Sequence, residues 1–563
     1  MREAFRSADS HSPGSREEVL ARRLKTLQNY KVKRSSIQQH PDLIFVNGSV
    51  LTVEPEAAGA EGVAVSGDRI AAVGSSIELM RLRGPETRVI DLGGRTLIPG
   101  LNSTHRRQMT AAKEIDHVSL IQAKNFQQLG SLVGARAACT PPGQWIESRS
   151  LWHEALLAEK RLPTRRELDP ATPNHPLFMP RGIHAAVVNS RALEAAGIDR
   201  NTPNPEGGTI ERDANGDPTG VLLGRARELV APFLPVPKSP QDALSRQMAV
   251  FNSYGITAVT DSGLSIDDIG IYLDLLEHQG LTVRSHLLQQ VYDWEGLRAS
   301  TDALNAHSGN SFLRFDGFKF SLGGGGEDPG LEDHFQIEQN AASKSEILLP
   351  PGGIDELLKM CVVAAGAGFQ FQSHAAGDTG AHLIANIYEQ TNRQTPLMAL
   401  RWAAVLLSPP SGEVIQRFTD LGVTTVVEDY RLLPRATPLS QEVDHGYGLS
   451  VSVAPGAGTG RLSPDQFEHS LVPFSPFTHM EWMATRRDRS GVAVPWPRSR
   501  HEALRANTYG NTVTQFMEQP LGSILPGKLA DLAVLSGDPT TADGYGDLRC
   551  DFTVVGGRIV YER

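Results

Sequence analysis

Through the middle of this chain, short β-branched or apolar runs alternate with longer stretches of helical character, and several runs close on a residue able to do chemistry. Ile256-Thr-Ala-Val-Thr-Asp261, Val283-Arg-Ser-His-Leu-Leu288, the run 315–320, Gly368-Phe-Gln-Phe-Gln-Ser-His374 and Val423-Thr-Thr-Val-Val-Glu428 are of this kind. Antiparallel neighbours need only a tight turn, whereas a strand followed by a helix and another strand reads as a parallel pair with a crossover. Repeated over this length, the unit specifies an α/β fold and predicts a (β/α)8 barrel. The C-terminal ends of barrel strands form the mouth where catalytic groups sit, which singles out Asp261, Lys319, His374 and Glu428. Asp261 is read first as a cap on the next helix through Ser262, and otherwise as lining of the mouth.

The two ends of the chain are written differently. Leu43-Ile-Phe-Val46 and Ser49-Val-Leu-Thr-Val53 flank Asn47-Gly48, and Gly62-Val-Ala-Val65 and Arg69-Ile-Ala-Ala-Val73 flank a polar turn. Arg88-Val-Ile90 and Arg95-Thr-Leu-Ile98 lie around Gly93-Gly94, and near the end Phe552-Thr-Val-Val555 and Arg558-Ile-Val-Tyr561 lie around Gly556-Gly557. Each pair reads as a hairpin. The matching grammar predicts one small β domain built from 42–98 plus 522–563, with a barrel over 99–521 placed between. Residues 141–234, rich in Pro, Gly and Asn, fit the strand rhythm poorly and read as an insertion over the mouth. Residues 1–41 read as a solvated arm with a short helix near 17–30.

Composition narrows the partners. The 563 residues carry 54 Lys+Arg against 64 Asp+Glu, a formal net charge of −10, which disfavours nucleic acid and anionic membrane and favours a small molecule. No window approaches the roughly eighteen apolar residues of a membrane span, and the N-terminus lacks a secretory apolar core. Cys139, Cys361 and Cys550 lie far apart, so neither a disulfide framework nor a thiolate zinc site is encoded, and a reducing cytoplasm is the expected compartment.

Longer motifs carry a resemblance. The stretch 91–105, with Pro99-Gly100-Leu-Asn-Ser-Thr-His105 at its end, is similar to the entry into the barrel of the amidohydrolase superfamily, and 522–535, with Gly527-Lys-Leu-Ala-Asp531, to its return into the β domain. Arg161-Leu-Pro-Thr-Arg-Arg-Glu-Leu-Asp169, His184-Ala-Ala-Val-Val-Asn-Ser190, Gly216-Asp-Pro-Thr-Gly220, Gly255-Ile-Thr-Ala-Val-Thr-Asp261 and His374-Ala-Ala-Gly-Asp378 resemble the YtcJ-like (amidohydrolase 3) branch. The resemblance runs from Asp42 to the C-terminus. It implies a distorted TIM (β/α)8 barrel with a small β-sandwich built from both chain ends, and metal-activated water that cleaves a C–N bond. Relatives often dimerise, and a homodimer is left open here.

The sequence departs from that pattern at ligand positions. The barrel's opening His-x-His becomes His105-Arg106-Arg107, and a guanidinium cannot bind a cation. His374 is kept, but the next histidine, in a Glu-His-Ala context, falls on Trp402-Ala403-Ala404, and the late aspartate falls on Val453 or Gly460. Lys319 takes the place of the family's bridging lysine carbamate and without two metals is read as a free amine. His105, His374 and Lys319 fall short of a tight zinc site, so no metal cofactor is expected; one divalent ion such as Zn on those three residues is the alternative.

The site residues follow. Lys319 is read as a general base or Schiff-base amine, against a structural ion pair with Glu327, Asp328 or Glu428. His374, oriented by Asp378, is read as catalytic. His105 is either a proton-transfer group or an imidazole satisfied by hydrogen bonds. Arg106 and Arg107 read as anion binders, with strand alternation turning His105 and Arg107 inward together, and His184 and Glu428 as further substrate contacts. The Gly323–Gly326 run lacks the Lys-Ser/Thr of a phosphate loop and reads as a lid or hinge. The expected protein is a cytoplasmic enzyme acting on a small, anionic carbonyl or carboxylate substrate by metal-independent acid/base catalysis: a lyase, isomerase, hydratase or C–C cleaving enzyme. Metal-dependent hydrolysis of amide C–N bonds and an inactive ligand-binding barrel are the alternatives.

Overall fold

The computed structural model describes residues 16–28, 40–54, 59–120, 123–150, 152, 154, 157–181, 185–205, 207–235, 239–278, 280–322, 349–375, 377–406, 412–427, 476–477, 480, 484, 499–541 and 548–563. Seven parallel strands curl into a distorted TIM barrel: β1 (Leu101–Arg106), β2 (Ile256–Leu264), β3 (Arg284–Gln290), β4 (Leu313–Ser321), β5 (Gln370–Ala375), β6 (Ala403–Leu406) and β7 (Thr424–Val427). Each pairs with the next in register, and helices cross between them, among them α3 (Pro240–Ser253), α4 (Ile266–Glu277) and α5 (Gly377–Asn392). The short α2 (Gln108–Lys113) follows β1 directly.

The N-terminal end of the barrel is plugged by 507–518. Gln515 accepts from Asn102 Nδ2 at 2.6 Å and donates to the Ser103 carbonyl and Thr260 Oγ1, while Gln370 Nε2 donates to the carbonyls of Thr514 and Arg401. Asn102, Ser103 and Gln370 lie within the first three residues of their strands and Arg401 just before one, so polar groups at the closed end are satisfied by one segment. His307, Arg401 and Phe516 all have positive φ, and the first two meet on the ring of the third: the His307 ring lies 4.5 Å from that of Phe516, and the Arg401 guanidinium 4.3 Å.

Two further sheets share a core. One has the order Arg69–Gly74, Gly62–Ser66, Leu43–Val46, Arg88–Asp91; the other Ser49–Val50, Thr96–Pro99, Leu532–Leu535, Cys550–Val555, Arg558–Glu562. Phe45, Val63 and Ile90 from the first pack against Leu97, Leu532, Val534 and Phe552 from the second. Two of the expected hairpins hold, Gly62–Ser66 with Arg69–Gly74 and Cys550–Val555 with Arg558–Glu562, both antiparallel. Two do not. Leu43–Val46 and Ser49–Val50 belong to different sheets, as do Arg88–Asp91 and Thr96–Pro99. Asn47, at φ 58°, and Gly48 carry the chain across the sandwich, and a side chain at Gly48 would strike Leu92. The turn signal is the same for a hairpin and for a step between sheets; only the partner strands decide.

Arg284 on β3 joins the barrel to the five-stranded sheet. Fully buried, it makes a two-pronged pair with Asp531 at 2.8 and 2.9 Å, and Asp531 also accepts from the Gly556 amide. The N-terminal helix α1 (Arg16–Gln28) is seated on the barrel and not simply solvated. Leu20 and Leu24, one turn apart on one face, are buried, and Arg23 pairs with Asp274 and Glu277 on α4.

Between α2 and α3 lies a five-stranded sheet of its own, ordered Gly208–Arg212, Pro218–Gly224, Ala185–Val188, Leu177–Arg181, Ile146–Glu147. Its core already includes Val118, Leu129 and Val133 upstream of 141. At the seam with α2, Val118 bridges to Ser148, and Glu114 accepts from the Ser150 amide and hydroxyl. His117 Nε2 lies 3.7 Å from Glu147 Oε1. Burial, then the nearby Arg149, pushes the His117 pKa down to about 4; burial, then Glu114, pushes that of Glu147 up to about 7.

Candidate functional site

Lys319 is 1% exposed, and its Nζ donates to Ser262 Oγ at 3.4 Å. Those residues sit on β4 and β2, which are separated by β3, so a bond between them places both side chains inside the barrel. A bulge between Ser262 and Leu264, made at Gly263 with φ 87°, re-aims this strand end. Register fixes the rest of the layer. Lys319 lies beside Gln290 on β3 and Gln372 on β5, Gln372 beside Ala403 on β6, and Ala403 beside Thr424 on β7. Paired residues face the same side of a sheet, so Gln290, Lys319, Gln372, Ala403 and Thr424 ring the interior at one level. Two residues nearer the mouth, Ser321, His374, Val405 and Val426 form the next level. Lys319 and His374 therefore share the interior, on adjacent strands and successive levels.

This lining was only half visible in the sequence. Lys319 and His374 stood out by chemistry; Ser262 was weighed only as a helix cap, and Gln290, Gln372 and Thr424 went unmarked. Counting by twos along each run from the Lys319 level would have found them, since facing repeats every second residue.

The lining has a consequence for metal binding. The described residues of these two levels offer one imidazole and one amine, with amide, hydroxyl and hydrocarbon groups for the remainder, whereas a tightly held divalent ion needs three or four imidazole, thiolate or carboxylate ligands. Among the described residues, no group of three or more His, Cys, Asp or Glu side chains is arranged to hold a metal ion. Ala403, where the family resemblance placed a histidine, occupies the Lys319 level. Trp402 before it is turned into an aromatic cluster, 5.4 Å from Phe371 and 4.9 Å from Tyr388, its indole N–H donating to the Phe369 carbonyl. Of the three residues that the alternative assigns to an ion, the described lining contributes Lys319 and His374.

His105 and Arg106 close β1, their side chains lying outside the described residues. The strand ends at Arg106, so alternation does not extend to Arg107, which is exposed and starts α2 as its N-cap. Asp378 is in the first turn of α5, its side chain outside the described residues. His184, Glu428, the Gly323–Gly326 run, Glu327, Asp328, Val453 and Gly460 also lie outside them.

Asp261 is a cap, but not of the helix that follows it. That helix, α4, is capped by Ser265 with Asp268 in a reciprocal box. Asp261 instead accepts the backbone N–H groups of Gln108 and Met109, each at 2.9 Å, and the Tyr272 hydroxyl at 2.6 Å. A second buried carboxylate, Asp316 near the plugged end, accepts from His286 and His307 at 2.8 Å and from Arg314 at 2.6 Å. Arg314 and the two histidines hold its pKa far below the usual range against the cost of burial. It sits at the end opposite the mouth, where polar groups serve stability and not catalysis.

Comparison with known proteins agrees with this architecture. The model of the Amidohydrolase family matches residues 88–445 and 469–561. The chain is 27% identical over 569 residues to N-substituted formamide deformylase of Arthrobacter pascens, covering 93% of this chain and 99% of that protein. It is 26% identical over 554 residues to YtcJ of Bacillus subtilis, covering 92% and 99%. Among solved structures, an uncharacterized metal-dependent hydrolase from Pyrococcus horikoshii shares the fold with a TM-score of 0.65 at 18% identity, over 90% of this chain and 99% of that one. The family model and the length of these alignments establish the chain as a member of the amidohydrolase family, on its YtcJ-like branch, and as an enzyme of that superfamily.

Proposed function

We propose that this enzyme moves protons on a small carbonyl or carboxylate substrate with its own side chains and without a resident metal, as a lyase, isomerase, hydratase or C–C cleaving enzyme. The observation that carries the reading is the pair of interior levels in which Lys319 and His374 are the only basic groups among the aligned residues Gln290, Gln372, Ala403, Thr424, Ser321, Val405 and Val426. Lys319 takes the proton from the carbon next to the substrate carbonyl, and His374 delivers one to the oxygen or leaving group. General acid–base transfer of this kind accelerates reactions by about 10²–10⁴-fold. Arg107, exposed at the mouth, supplies a fork of donors for a substrate carboxylate, with Arg106, His184 and Glu428 as further contacts, while His105 assists proton transfer and Asp378 orients His374.

A second reading is favoured by the relatives: one of them is an N-substituted formamide deformylase. On that reading the enzyme hydrolyses a C–N bond with one divalent ion, such as Zn, held by His105, His374 and Lys319. Incubation with small oxo-carboxylates in deuterated water, followed by proton NMR, separates the two. Deuterium entering beside the carbonyl, undiminished by EDTA, supports proton transfer. Hydrolysis of N-formyl or N-acyl amines that EDTA abolishes, with no exchange, supports the second reading.

A further inference from the structure

The helix that leaves the mouth begins with a residue that cannot cap it. Arg107 is the N-cap of α2, and its side chain makes no cap hydrogen bond, since a guanidinium only donates. Yet the first N–H groups of a helix require acceptors. Asp261, fully buried on β2, meets that need from the neighbouring strand: one carboxylate oxygen takes the Gln108 N–H, the other the Met109 N–H. Its register partner on β1 is Arg106. We propose that Asp261 is a positioning residue which, while ionised, pins the start of α2 and thereby fixes how His105-Arg106-Arg107 enters the barrel mouth.

Several features bear on the charge. Two backbone donors and the Tyr272 hydroxyl stabilise the carboxylate, as does the positive end of the helix. Burial opposes it and wins, pushing the Asp261 pKa up to about 6, with Asp268 adding a smaller upward push. Among the described residues, the groups that face Asp261 come from three elements. From α4 come Tyr272 and Asp268, and Asp268 is paired at 2.6 Å with Lys113 of α2. From β3 the register partner is Leu287, and on α3 Arg246 is engaged with Asp242 and Asp116. A protonated carboxyl keeps one good acceptor oxygen and turns the other into a donor, so acid removes one of the two bonds to the helix start.

That the triplet serves the mouth rests on the proton-transfer reading; the cap itself is tested without any substrate. Hydrogen–deuterium exchange of the segment 104–113, followed by mass spectrometry between pH 5 and 8 and corrected for the intrinsic pH dependence of exchange, reports the two capped amides. Wild type is expected to lose protection there as pH falls through about 6. Asp261→Asn is expected to show low protection at every pH. Tyr272→Phe keeps both bonds to the helix but removes the hydroxyl that favours the charge, so its transition moves upward by about one pH unit. Flat wild-type protection, wild-type protection in Asp261→Asn, or an unmoved midpoint in Tyr272→Phe overturns the proposal. Should Asp261→Asn fail to fold, wild type and Tyr272→Phe still decide it. Absence of carbonyl-linked deuterium exchange in the oxo-carboxylate assay, with these protection results obtained, would remove the proton-transfer reading and leave the cap standing.

Discussion

Lys319 reaches across an intervening strand to Ser262, its amine 3.4 Å from that hydroxyl, so this interior lysine is held from the opposite side of β3. The Ser262 hydroxyl is one of the groups that steady the amine.

Replacing Lys319 with Met keeps length and bulk and removes the amine. On the proton-transfer reading turnover falls by about 10²–10⁴-fold. Stability is expected to hold or rise, because a buried polar group is replaced by hydrocarbon. Ser262→Ala is expected to lower turnover less, since it releases the amine without removing it. Deuterium incorporation and thermal unfolding of each variant check both halves; near-normal exchange in Lys319→Met would exclude Lys319 as the base.

The Arg284–Asp531 pair should behave as a buried lock between barrel and sandwich. With Arg284 fully buried, Asp531→Ala leaves an uncompensated charge and an unpaired Gly556 amide, for an expected loss of about 3–5 kcal/mol. Replacing both partners with apolar residues should cost less than Asp531→Ala alone. Denaturant unfolding of the single and double variants measures the difference.

The seam residues His117 and Glu147 should nearly cancel in the pH dependence of stability. His117 has a depressed pKa of about 4, so on its account stability is lost as pH falls from the ordinary imidazole range toward 4. Glu147 has a raised pKa of about 7, so on its account stability is present at low pH and lost as pH rises toward and through 7. Over the shared window the slopes oppose. His117→Asn should therefore make the protein gain thermal stability on acidification from pH 7 to 5, and Glu147→Gln should make it lose stability over the same range. Parallel melting curves for the two variants against pH would contradict this assignment.

The barrel and its mouth were legible because both rest on local pattern: β-branched runs repeat between helices, and Lys319 and His374 stand near the ends of their runs. What escaped depends on partners distant in sequence. Asn47-Gly48 reads as a hairpin turn until the second sheet claims Ser49–Val50 through its pairing with Thr96–Pro99. Asp261 reads as the cap of its own following helix, because nothing local reveals that Arg107, some 150 residues earlier, leaves another helix start without an acceptor. Alternation turned Arg107 inward only by assuming that the strand continued past Arg106. The arm looked soluble because its charges outnumber its two buried leucines, yet Leu20 and Leu24 lie one turn apart and suffice to seat it.

The central claim, that the barrel interior works without a resident metal, is tested most directly by elemental analysis. Protein purified without chelator from zinc-supplemented medium, then dialysed, should hold far less than one equivalent of Zn, Fe, Mn or Ni, and its deuterium-exchange activity should be indifferent to EDTA. One tightly held equivalent per chain, lost together with activity on chelation and restored by adding the ion back, would contradict the account and return the enzyme to metal-dependent hydrolysis.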